Sequence, residues 1–141
     1  MKIDYNEFRT RIGELTKTER FDEIGNLEGI VIIERRDHKA DHAAEYMCER
    51  FALGADIANY QIVGEYANPG RGRPVIESPQ AGDLAIYSLE GEVKHFGRVA
   101  DNQKIRSKWG ASHIFEHDIG AVPIHYGDTI TFFKDTIKYS R

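Results

Sequence analysis

A single cysteine, Cys48, stands in the 141-residue chain, so no disulfide can form within it and nothing in the fold calls for an oxidising compartment. No run approaches the roughly 20 apolar residues of a membrane-spanning helix, and the amino end MKIDYNEFRTR lacks the apolar stretch of a signal peptide. These absences lead to the expectation of a protein that stays in the cytoplasm as synthesised and does not engage a membrane. An excess of basic charge is lacking too. Nineteen Lys and Arg against 23 Asp and Glu leave a net charge of −4, which argues against a general nucleic-acid partner. Basic residues do gather at Arg71 and Arg73 and at Lys104, Arg106 and Lys108, where they read as solvated loop and strand charges. Internal repeats and low-complexity segments are also missing.

What is present is 40% apolar and 30% charged, enough to bury a core over one domain spanning residues 1–141. Tyr5, Phe8, Ile12 and Leu15 recur at spacings of three and four, which predicts a helix starting at an Asp4 cap with Glu7, Arg9 and Arg11 on its outer face. Ile30 to Ile33 is a β-branched run that reads most simply as a short buried strand, a helical turn being the alternative. In DHKADHAAEYMCERFALG, Ala44, Met47, Cys48 and Phe51 share a helical stripe that Gly54 can end. The loop NPGRGRP lies within residues 67–81, which connect a helical half (about 1–66) to a sheet half (about 82–139). There, Leu84–Tyr87, Val93–Val99 and Lys104–Trp109 are separated by Gly91 and by Asp101-Asn102-Gln103, as in an antiparallel meander. HIFEH and VPIHYGDTITFF add two more strands, the second interrupted by Tyr126-Gly127-Asp128. The expected class is α+β, with N-terminal helices packed on a five- to six-stranded antiparallel sheet.

Chemistry centres on His95, near the start of the middle strand of that meander. An imidazole and a thiol brought together form a base and a nucleophile, and Cys48 is the only thiol available. Its place on an inward stripe also suits inert packing, and no Ser, Thr, Asp or Asn precedes it to cap a helix there. Strand parity narrows the search for a third residue. If Val99 and Ile105 both face the core across a three-residue turn, Ser107 and Trp109 share the face of His95; a two-residue turn selects Arg106 and Lys108 instead. Ser107 is favoured, with Glu116 and His117 on the next strand as alternatives. His38 and His42 lie four apart, but Lys39 stands where the glutamate of H-E-x-x-H belongs, so neither metal nor cofactor is expected.

PQAGDLAIY resembles the P-x-x-G-D-L strand of the NlpC-type peptidases and CHAP amidases, and KHFGRVADNQKIRSKWG resembles their H-V-G-I-Y strand and the hairpin after it. The resemblance covers roughly Tyr46 to Phe133. It implies a papain-like fold, Cys48 as nucleophile, His95 as its base, and a third polar residue orienting the imidazole, the role for which strand parity favours Ser107. Lys108, Trp109 and His117 are then candidate substrate contacts. The substrate class implied is a peptide or amide bond, peptidoglycan included. Two positions depart from the pattern: Met47 replaces the usual Asp or Asn before the cysteine, and Glu49-Arg50 follows it in place of a small residue. The rival reading is a non-catalytic binding or immunity-type module of the same fold with a protein partner. Oligomeric state is not legible.

Overall fold

Helix α1 (Glu7–Lys17) begins at Asn6, whose side chain accepts the Arg9 N–H at 2.9 Å, rather than at Asp4. An Asn cap satisfies one of the first-turn donors that have no partner within the helix. Tyr5 therefore falls outside the helix and is exposed, while Ile12 and Leu15 are buried. Short helix α2 (Phe21–Ile24) comes next and buries Ile24. The computed structural model describes residues 1–35, 73–109 and 113–134; Cys48, His38, His42 and Arg71 lie outside them.

The strands are β1 (Ile30–Glu34), β2 (Val75–Ile76), β3 (Leu84–Leu89), β4 (Glu92–Val99), β5 (Ile105–Lys108), β6 (Ile114–His117) and β7 (Thr129–Phe133). Among the described residues they form one antiparallel sheet of seven strands in the order β1-β6-β5-β4-β3-β7-β2. The molecule is thus α+β, with one strand more than the expected upper bound. The addition is β2, inside the stretch expected to be loop, where Val75 and Ile76 pair with Phe133 and Phe132. Two residues are too few for a period-2 pattern to show. At the other edge β1 is a strand as expected but not a buried one: Val31 is 57% and Ile33 40% exposed, and among the described residues β6 alone pairs with it.

One face of the sheet carries Ala85, Tyr87, Val99, Ile105, Phe115, Ile130 and Phe132, packed with Ile12, Leu15 and Ile24 from the helices. Each large aliphatic side chain so buried contributes about 1.5–3 kcal/mol. Leu84, Ile86, Phe96 and Ile114, which alternate with these along the strands, are buried as well. The central strands are therefore apolar on both sides, which explains their continuous rather than alternating hydrophobicity.

Two further expectations are overturned. Residues 122–126 do not form a strand; a 3₁₀ turn spans Ile124–Tyr126 before β7. Pro123 has no N–H for a ladder, and Gly127 leaves the turn at φ +96°, a conformation open to glycine. A Cβ at Gly127 would lie 2.3 Å from the Ser88 carbonyl oxygen. Arg9, expected on the outer face of α1, is fully buried.

Candidate active site around the β4 histidine

Strand β4 places His95 directly across from Tyr87 of β3, on the face that packs beneath α1 and the 3₁₀ turn. The imidazole is fully buried and lies parallel to the Tyr126 ring, with centroids 4.1 Å apart and planes within 10°. Tyr87 contacts it from the side at 5.7 Å and donates its hydroxyl proton to the Ile119 carbonyl at 2.7 Å. Neither ring nitrogen of His95 has a hydrogen-bond partner among the described residues. Burial, then the nearby His117 and His125, hold its pKa well below that of an ordinary histidine. The ring is therefore a neutral base with an available lone pair.

Gly97 brings β5 close to this face. A Cβ there would sit 2.6 Å from Ile105 Cγ2 and 3.3 Å from Ser107 Cβ. Val99 pairs with Ile105, and Ala100 N–H bonds to the Lys104 carbonyl at 2.7 Å around a three-residue turn whose last residue, Gln103, has φ +64°. That register puts Ser107 and Trp109 on the His95 face and Arg106 and Lys108 on the other. Lys108 is fully buried there and Arg73 nearly so, so neither is the solvated charge expected of it. Lys104 and Arg106 do reach the surface, where they pair with Asp118 and Glu116.

Ser107 does not bond to His95. Its Oγ accepts the Trp109 Nε1–H at 2.8 Å and lies 2.8 Å from His117 Nε2. His117 Nδ1 faces the Asp118 carbonyl at 2.8 Å. A carbonyl only accepts, so Nδ1 carries the proton and Nε2 accepts from the serine hydroxyl. The network is thus directed from Trp109 to Ser107 to His117 to the Asp118 carbonyl, with both nitrogens of the His117 ring satisfied. Ser107, Trp109 and His117 are all buried, and burial lowers the His117 pKa to about 4. Among the expected substrate contacts, Trp109 and His117 therefore sit in the core, and Lys108 lies on the opposite side of the sheet.

Sequence reasoning does not single out Tyr87, Tyr126 or Arg9. Tyr87 is out of its reach, because a two-residue turn alone would set Ile86 opposite His95, and a shift of register between Tyr87 and Ser88 brings Tyr87 there instead. Tyr126 is hidden for another reason, the apolar pattern around it having the appearance of a strand. Elsewhere, a cavity of about 320 Å³ opens between Met1, Val75, Ile76 and Phe132 at the β2 edge and does not involve His95. Among the described residues no group of three or more His, Cys, Asp or Glu is gathered as metal ligands would need.

A family model described as a domain of unknown function (DUF7689) matches residues 47–134. No curated protein and no solved structure matches the chain.

Proposed function

The chain belongs to the DUF7689 family, a domain of unknown function, and from its residues and the site geometry we propose that it is a papain-like thiol hydrolase of peptide or amide bonds, with Cys48 as nucleophile and His95 as base. The observation that carries this reading is the His95 ring: fully buried, clamped against Tyr126, and without a partner on either nitrogen among the described residues. An imidazole left so costs about 1–3 kcal/mol. Groups retained at such a cost commonly serve a function.

In the proposed reaction His95 takes the thiol proton as Cys48 Sγ attacks the carbonyl carbon. Collapse of the tetrahedral intermediate breaks the C–N bond and returns that proton to the leaving amine. Water, deprotonated by the same imidazole, then cleaves the thioester to release the acid and the thiol. Ser107 acts at one remove in this scheme, by holding His117 and Trp109 beside the β4 strand rather than by orienting His95 itself.

Complete burial of His95, Ser107 and His117 favours a second reading, a binding module that keeps the fold without catalysis. One experiment separates the two: the rate of Cys48 alkylation by iodoacetamide against pH, in the wild type and in His95→Ala. The hydrolase reading expects a reactive thiol with a midpoint below the roughly 8.5 of free cysteine, and loss of that reactivity in the variant. A thiol that reacts only after unfolding would leave the binding module.

A further inference from the structure

The Arg9 side chain makes four hydrogen bonds among the described residues, and all of them go to backbone carbonyls. Nε donates to Val122 at 3.1 Å, Nη2 to Pro123 at 3.0 Å and to Gly127 at 2.6 Å, and Nη1 to Asp4 at 3.0 Å. The cation also lies 5.5 Å from the centre of the Tyr5 ring. Three of the four acceptors bracket the 3₁₀ turn that carries Tyr126, and they stand at both of its ends. A guanidinium is rigid and forked, so it fixes the separation of those ends in a way that a point charge cannot. Within the turn, the Tyr126 N–H bonds back to the Pro123 carbonyl at 3.0 Å, which leaves the ring little freedom. That ring is the one stacked on His95.

We infer that Arg9 is a positioning residue, which sets the place of the His95 imidazole through the Val122–Gly127 turn and Tyr126; the inference rests on reading His95 as the base. The alternative is that Arg9 merely satisfies the carbonyls of a buried turn. The two roles respond differently to a side chain that keeps charge and stem but loses the fork.

Arg9→Lys makes that change, since one ammonium cannot reach both ends of the turn. In the full-length protein, His95 ring signals tracked by NMR against pH should shift in Arg9→Lys, and the His95 titration midpoint should move up towards that of an ordinary histidine. Tyr126→Leu, which removes the stacked ring and leaves every Arg9 bond in place, should reproduce the shift. Cys48 alkylation should slow on the order of tenfold in both variants, as expected for a base displaced by a fraction of an ångström to an ångström.

A melting temperature lowered by Arg9→Lys with unchanged His95 signals would overturn the inference. So would failure of Arg9→Lys to fold at pH 7, since the residue would then serve the whole fold. If alkylation in the wild type does not depend on His95, the hydrolase reading fails, yet the NMR comparison still decides whether Arg9 places the ring.

Discussion

Ser107 holds two buried groups at once, accepting from Trp109 and donating to His117, each at 2.8 Å. Removing its hydroxyl leaves an indole N–H and an imidazole lone pair in the core without partners. Each such group costs about 1–3 kcal/mol, so Ser107→Ala should destabilise by about 2–4 kcal/mol in urea unfolding, far more than the loss of one oxygen atom's packing. Ser107→Thr, which keeps the hydroxyl, should recover part of that loss. A destabilisation below about 0.5 kcal/mol in Ser107→Ala would show that the network carries no weight. That Ser107 shares the face of His95 was legible from strand parity and the length of one turn. Its true partner was not, because parity fixes a face and not a contact. The burial of Arg9 was hidden for a related reason: charge predicts exposure residue by residue, whereas three carbonyls of the distant Val122–Gly127 segment converge on it only in the fold.

Between β3 and β4 the chain reverses through Glu90 and Gly91, which have φ of +50° and +82°, while Leu89 pairs with Glu92. A two-residue turn with both φ values positive is type I′, whose twist matches that of the flanking strands and whose first position suits Asn far better than Glu. Glu90→Asn should therefore stabilise the protein by about 0.5–1 kcal/mol, seen as a higher urea midpoint with an unchanged slope. A fall in the midpoint would mean that Glu90 makes a contact worth more than the strain. The three strands of this meander were legible because each is β-rich and bounded by turn formers. The segment from Val122 to Phe133 misleads because alternating apolar residues mimic a strand on both sides of Pro123 and Gly127. Only the backbone at those two residues distinguishes a 3₁₀ turn from a bend in a strand. The short β2 was invisible for want of length, and Cys48 lies outside the described residues, so its pairing with His95 is decided by the alkylation experiment.

For the molecule as a whole, two fully buried neutral histidines make stability depend on acidity. His117 has a folded pKa of about 4 against 6.5 unfolded, and His95 lies well below 6.5 for the same reason, burial. A group whose folded pKa is depressed contributes its full stability above the unfolded pKa, and that contribution is lost as pH falls towards the folded value, because the unfolded chain takes up protons the folded one refuses. At pH 7 and above, neither histidine adds a slope. Between pH 6.5 and 5 His117 should remove about 1.4 kcal/mol per pH unit, or about 2 kcal/mol by pH 5, and His95 adds a loss of the same sign. The carboxylates whose pKa values are lowered by their partners, Asp22, Glu116 and Asp128, titrate lower still and leave this window to the histidines. Urea unfolding at pH 7 and pH 5 should therefore show a loss of more than about 2 kcal/mol in the wild type. His117→Gln, which keeps an acceptor for Ser107 and a donor for the Asp118 carbonyl, should lose about 2 kcal/mol less over the same interval. An equal loss in the two proteins would place the sensitivity elsewhere, and no loss in either would mean that the two rings are not held neutral in the folded core.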